Sequence, residues 1–308
     1  MGGNAIIRFV DDGGRRRAER IARAAENEAL RIERKFSRFR EDSVVSQIAR
    51  NAGRTPVAVD DETVYLVEAA LDLARLTGGR FDPTVGVLRR AWNFREPRVP
   101  GDDEIAALLE LVDARAVSVR DGTVFLRREG MELDLGGVGK EYAVDRVADV
   151  LAEHGVTSAI LNFAGDVRTV GGRGDGKPWS IGVADPREPG RCRFAVRLIG
   201  GAGVATSGDY ERCFVKDGVR YHHILDATTG YPARGIMSVT VVAANAFLAG
   251  RIASAAFLLG PREGLALLER LDGVEGCVIV EGGAISATDG MTRMSNLPGS
   301  LYESYPAI

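Results

Sequence analysis

Two hydrophobic periods run through this chain, one of helices and one of strands. Over 15–39 the residues Ala18, Ile21, Ala22, Ala25 and Ile32 recur at helical spacing amid Arg and Glu, which predicts an amphipathic helix. Asp60 stands at an N-cap position ahead of Val64, Val67, Ala70, Leu71 and Ala74 on one face, and Gly78–Gly79 supplies the stop. Further helices are predicted over 139–153, over 246–259 and after Pro261. A strand is expected over 5–10, and Asp121–Gly122, Asp217–Gly218 and Gly282–Gly283 are hairpin signals between apolar runs. The apolar stretch 236–260 is interrupted by Asn245 and Arg251, so it reads as a buried strand followed by a helix and not as a membrane span. The fold class is α+β, with mixed, largely antiparallel sheets and packed helices.

Composition narrows the function classes. The 308 residues are 45% hydrophobic and 27% charged, enough for a large core in one domain or two closely joined lobes. Lys plus Arg number 40 against 43 Asp plus Glu, a balance without the basic excess of a dedicated nucleic-acid binder, so no nucleic-acid partner is expected. The cysteines Cys192, Cys213 and Cys277 lack any CxxC spacing, which argues against a disulfide framework or zinc knuckle and favours a reducing compartment. With only His154, His222 and His223 available, a metal must rely on oxygen ligands. The first residues hold no apolar segment of signal-peptide length, so the chain as given is expected in the cytoplasm, with export open if an upstream leader was trimmed.

The chemistry-bearing motifs lie in turns. DLGGVGKEYAVD at 134–145 reads as a strand running through a glycine-rich turn into a helix whose first N–H groups can bind an anion. It is not a Walker A loop, because Asp134 and Glu141 stand where Gly and Ser or Thr are required. Gly172–Arg173–Gly174 lacks a third glycine at Lys177 and reads as a surface turn. In the strand-like run YHHILD, His222 and His223 point to opposite faces and are not expected to ligate one metal, while one of them near Asp226 has the imidazole a general base needs.

Taken in order, SRFREDSVVSQI at Ser37, GGRFDPTVGVLRRAW at Gly78, the glycine-rich block at Asp134, NFAGDVRTVGG at Asn162, SGDYERCF at Ser207, HHILDATTGYPARG at His222 and SVTVVAANAFLAGRIASAAFLLG at Ser238 resemble the ApbE-type FAD:protein FMN transferases. The resemblance covers nearly the whole chain in collinear order. It implies a single domain over 1–308, with FAD in a cleft between lobes and Mg²⁺ held by oxygen atoms. The implied reaction moves FMN from FAD to a Ser or Thr hydroxyl of a target flavoprotein and releases AMP. Position by position, it implies that Met1, Phe39, Arg80, Phe81 and Asp82 border the flavin or adenine and that Asp134 and Lys140 lie near FAD. The Gly137 carbonyl would face the metal, His223 would be the general base, and Asp226 would orient its loop.

Departures from the family pattern matter as much. Gly250 and Ser254 stand where the family has an Asp and, four residues later, a Thr that ligate the cation from one helical face. Ser254 keeps a hydroxyl, but the missing carboxylate predicts weak metal binding unless another acid substitutes. Glu141 and Ala164 each replace a glycine, and Arg251, beside the vacant acid position, is a candidate for neutralising the pyrophosphate. Three activities follow: FMN transfer, non-catalytic FAD binding by a homologue with a degraded metal site, and FAD pyrophosphatase hydrolysis.

Overall fold

The computed structural model describes residues 4–297, so Met1 lies outside the described residues. Eight α-helices are present among them: α1 (Arg15–Phe36), α2 (Val44–Arg50), α3 (Asp61–Leu76), α4 (Asp102–Leu109), α5 (Gly139–Glu153), α6 (Ala246–Leu259), α7 (Pro261–Arg270) and α8 (Asp289–Met294). Every ladder between strands is antiparallel, and the architecture is α+β. No helix among the described residues is long and apolar enough to cross a membrane. The chain divides into two compact units, each assembled from separated stretches.

The first unit takes the described residues up to Arg31, then 140–208 and those from Gly235 on. Its sheet has seven strands in the order Ala5–Phe9, Ala159–Phe163, Asp166–Val170, Gly203–Gly208, Ile236–Ala243, Glu275–Val280 and Ile285–Ala287. All eight residues of Ile236–Ala243 are buried, which is why that strand is mainly apolar on both faces, Ser238 and Thr240 being its two polar residues. Helix α6 lies on this strand and on Gly203–Gly208. The approach is close: a Cβ on Gly203 would stand 2.0 Å from the Asn245 carbonyl carbon. A ribbon of Trp179–Ala184 and Cys192–Leu198 joins Val204, Val242, Cys277 and Ile279 in one apolar cluster. Each large apolar side chain so buried stabilises the fold by roughly 1.5–3 kcal/mol.

The second unit comprises Ile32–Gly139 and Asp209–Arg234. It holds the three-stranded sheet of Val57–Ala58, Thr123–Leu126 and Val117–Arg120, the hairpin of Cys213–Lys216 and Val219–His222, and an aromatic cluster around Trp92. The Trp92 ring stacks on Phe94 and its Nε1 donates to the Gly230 carbonyl at 2.8 Å. Both hairpin turns of this unit place Asp and Gly in the left-handed region, Asp121 and Gly122 at φ 48° and 67°, Asp217 and Gly218 at 52° and 75°.

Four local expectations need correction. Helix α1 stops at Phe36, three residues early, because Arg38 turns away to donate to the Gly86 carbonyl and to Asp134; within it Ala22 is exposed while Ile21, Ala25 and Ile32 are buried. Helix α3 has its Asp60 cap, which accepts from Thr63 N, but Leu66 and Leu73 lie deeper than Val64 and Leu71, so the buried face is rotated. No strand leads into the glycine-rich turn; only an isolated bridge joins Val85 to Glu132. Finally, the strand expected through both histidines ends at His222 and leaves His223 in a bend.

Candidate active site

In the second unit the loop carrying Arg80, Phe81 and Asp82 is fastened from several sides. Phe81 N donates to Thr77 Oγ1 at 2.9 Å. Asp82 is buried, and both carboxylate oxygens are spent inside the fold: Oδ1 accepts from Thr84 N and Oγ1 at 2.7 and 2.6 Å, Oδ2 from Ala114 N at 2.7 Å. Burial raises its pKa against those hydrogen bonds. Arg80 Nη1 reaches Asp226 Oδ2 at 3.0 Å, while Asp226 Oδ1 accepts from Thr228 N and Oγ1. The RFD loop is thereby tied to the segment just after His223.

The two histidines differ in their surroundings. His222 is 3% exposed; its Nε2 lies 2.9 Å from the Ala233 carbonyl and its Nδ1 accepts from Ile224 N, which assigns the proton to Nε2. Burial pushes its pKa down, so the ring stays neutral. His223 is half-buried, anchored through its own N–H to the Arg212 carbonyl at 3.1 Å.

Beside this loop the buried Asp134 receives Arg38 Nη1 at 3.1 Å, Arg89 Nε at 3.0 Å and Gly136 N at 2.8 Å. Burial alone would raise its pKa, but the two guanidiniums and the amide hold the carboxyl below its usual range. Arg212 lies within electrostatic range of both Arg89 and Asp134. Cationic side chains therefore converge on one carboxylate, although Glu132 also pairs with Arg38. Arg89 and Arg212 were not legible as site residues, since nothing in linear spacing distinguishes them from surface arginines. Phe81 packs so closely over Gly137 that a Cβ there would meet its Cε2 at 2.7 Å, and Phe39 is 78% exposed with the Arg38 guanidinium 5.5 Å from its ring centroid.

In the first unit the head of α5 carries a buried polar cluster. Lys140 Nζ lies 2.7 Å from Asp166 Oδ2. Glu141, only 6% exposed, fills the space that Gly250 leaves on α6: a Cβ at 250 would stand 2.3 Å from its Cγ. Its Oε2 is buried without a hydrogen-bond partner. Burial and the neighbouring Asp166 charge push its pKa up to about 8, and burial raises that of Asp166 as well. Ser254, one turn beyond Gly250, has its Oγ 3.3 Å from Ser207 Oγ. Arg251 lies over the Phe247 ring at 5.4 Å, with a buried Nε that makes no hydrogen bond. Ala164 adopts φ 50°, so the residue that replaces a glycine keeps the left-handed turn at a conformational cost of about 1 kcal/mol. No group of three or more His, Cys, Asp or Glu side chains converges as a metal site among the described residues.

Comparison with known proteins gives the class to which this α+β fold belongs. The ApbE family model matches residues 1–278, and the chain belongs to the ApbE family. An FAD:protein FMN transferase of Treponema pallidum (strain Nichols) is 35% identical over 274 residues, covering 83% of this chain and 76% of its own. One from Vibrio cholerae serotype O1 is 30% identical over 274 residues, covering 87% and 82%. Among solved structures, the ApbE protein of Thermotoga maritima superposes with a TM-score of 0.85 at 38% identity over 94% of each chain. The flavin transferase ApbE of Vibrio cholerae gives 0.83 at 29% identity over 94% and 95%.

Proposed function

We propose that this protein is an FAD:protein FMN transferase, acting on a Ser or Thr hydroxyl of a partner flavoprotein. The observation that carries the reading is the half-buried His223, standing in a bend three residues before an Asp226 that is itself fixed by Arg80 and Thr228. A base held by a fastened loop is what proton abstraction from an incoming hydroxyl requires. The acceptor Oγ attacks the phosphorus on the FMN side of the FAD diphosphate, the Oγ–P bond forms, and the P–O bond to the AMP moiety breaks. The hydroxyl proton passes to the His223 imidazole, AMP leaves with the bridging oxygen, and FMN remains as a phosphoester. Arg38, Arg89 and Arg212 supply positive charge in the same unit, and the exposed Phe39 ring and the Phe81 ring on Gly137 offer flat apolar surface to a planar heterocycle.

A Mg²⁺ ion is part of the proposal, and when bound it neutralises charge on diphosphate oxygens. The residues of the first unit fit a hard cation in kind: a buried carboxylate oxygen of Glu141 has no hydrogen-bond partner, and the Ser254 hydroxyl lies on the same side of α6 as Gly250. Incubation with FAD, Mg²⁺ and a flavoprotein acceptor should give a fluorescent acceptor band on a denaturing gel and one AMP per label, both abolished in His223→Ala. FMN and AMP without labelled acceptor would make the protein a pyrophosphatase instead. FAD binding with neither product would make it a non-catalytic binder.

A further inference from the structure

We propose that Glu141 is the cation-binding carboxylate of this protein, delivered from α5 into the space that the absent side chain of Gly250 opens on α6. The inference rests on the flavin-transfer reading for what the cation is used for, but it is argued from the polar cluster itself.

Glycine in a helix interior costs about 1 kcal/mol relative to alanine. Helix α6 elsewhere buries Ala246, Ala249, Ala253, Ala255 and Ala256, so a small residue alone does not call for glycine at 250. The Glu141 side chain does: a Cβ at 250 would meet its Cγ at 2.3 Å, its Cδ at 2.9 Å and its Oε1 at 3.1 Å. Gly250 and Glu141 are thus a reciprocal pair, one giving up a side chain where the other inserts one.

What is inserted is a carboxylate, and burial of a carboxylate is costly unless a partner compensates it. Glu141 is 6% exposed and its Oε2 makes no hydrogen bond, while Lys140 lies on Asp166 at 2.7 Å. Lys140 is committed to Asp166, so Glu141 is the carboxyl of this cluster without a cation of its own; it keeps its proton when no cation is bound, and a divalent cation would take that proton's place. The first turn of the 15-residue α5 favours the ionised form once the proton has left, and on α6 Ser254 carries a hydroxyl one turn beyond Gly250, the residue whose missing side chain Glu141 replaces. A spare buried carboxylate oxygen and a hydroxyl are oxygen donors of the kind Mg²⁺ and Mn²⁺ take, the remaining positions being filled by water and phosphate.

The test uses the full-length protein and reads cation binding directly, by the loss of the free Mn²⁺ electron paramagnetic resonance signal and by the Mg²⁺-induced shift in melting temperature, each with and without FAD. Glu141→Gln keeps the size and removes the charge; it should weaken Mn²⁺ binding by about tenfold or more and leave the melting temperature in chelator no lower. Gly250→Asp alone should lower the melting temperature through its clash with Glu141, whereas the double variant Glu141→Gly/Gly250→Asp should recover both fold and Mn²⁺ binding. Wild-type protein that takes up no Mn²⁺ in either condition, or Glu141→Gln that binds it as tightly as wild type, overturns the proposal. Mn²⁺ binding that follows Glu141 in a protein unable to label any acceptor would sink the transfer reading alone; acceptor labelling that is indifferent to chelator would sink this one alone.

Discussion

Arg80 and Asp226, 146 residues apart in sequence, meet at 3.0 Å between Nη1 and Oδ2. The pair is reinforced by the Ala227 amide, which donates to the Arg80 carbonyl at 2.8 Å. Asp226 side-chain oxygens also hold Thr228, so removing the carboxylate frees donors on both chain segments at once. Asp226→Ala should lower stability by about 2 kcal/mol, a figure kept small because Arg80 is nearly half exposed. It should lower kcat for transfer by about 10²-fold through the misplaced His223, with a much smaller change in KM for FAD. An unchanged kcat in a destabilised variant would reduce the pair to a structural tie.

The neighbouring histidines should separate in their pH behaviour. The folded-state pKa of His222 is depressed by burial, so its contribution to stability is whole above the unfolded value near 6.5 and is lost as pH falls toward the folded value. Urea midpoints should therefore fall on acidification from pH 7, and His222→Gln, starting lower, should show a flatter slope over that window. His223→Ala should instead reduce transfer by about 10²–10⁴-fold with little effect on the midpoint. Equal pH slopes in wild type and His222→Gln would refute the assignment.

The linear pattern carried much of this fold for identifiable reasons. Asp121–Gly122 and Asp217–Gly218 are paired residues able to take positive φ, and each makes the turn it signals. Helices α5 and α6 keep the bounds predicted for them, 139–153 and 246–259, since local rules and burial agree there; the structure adds the Asn245 cap on α6. The misses occur where a distant partner decides. The end of α1 is set by Arg38 reaching 96 residues ahead to Asp134, and the buried face of α3 by neighbours that no 3.6-residue period encodes. The same holds for the site: Lys140 and Glu141 were visible as residues, but the insertion of Glu141 against Gly250 is a relation across 109 positions. That Asp82 spends its carboxylate on Thr84 and Ala114 was equally invisible in the motif RFD.

Two glycines should respond very differently to the same small change. At Gly137 the obstacle to a methyl group is the edge of the Phe81 ring at 2.7 Å, which can swing aside. Gly137→Ala should cost about 1–2 kcal/mol and be relieved by Phe81→Leu. At Gly203 the obstacles are the backbone carbon of Asn245 and nitrogen of Ala246, at 2.0 and 2.2 Å, and no side-chain substitution relieves them. Gly203→Ala should push α6 off the sheet and cost more than about 3 kcal/mol. Thermal melts of the two single variants and the Gly137→Ala/Phe81→Leu double check the contrast, and equal losses at both glycines would contradict it.

Asp145 ties α5 to the start of α6. Its Oδ1 accepts from Ala246 N at 3.0 Å and its Oδ2 from Phe247 N at 2.7 Å, while Asn245 caps Leu248 N from the same turn. Two of the N–H groups that a helix start leaves without intrahelical partners are thus satisfied by a carboxylate from the helix that also carries Lys140 and Glu141. Asp145→Asn retains one acceptor oxygen, substitutes a donor for the other and cancels the charge, so it should lower stability by about 1–2 kcal/mol. Because Gly250 sits one turn into α6, a loosened start should also widen the seat filled by Glu141, and amide hydrogen exchange in α6 should speed up ahead of exchange in the strand Ile236–Ala243. Uniform acceleration across both elements would mean that Asp145 contributes to global stability without fixing the register of the two helices.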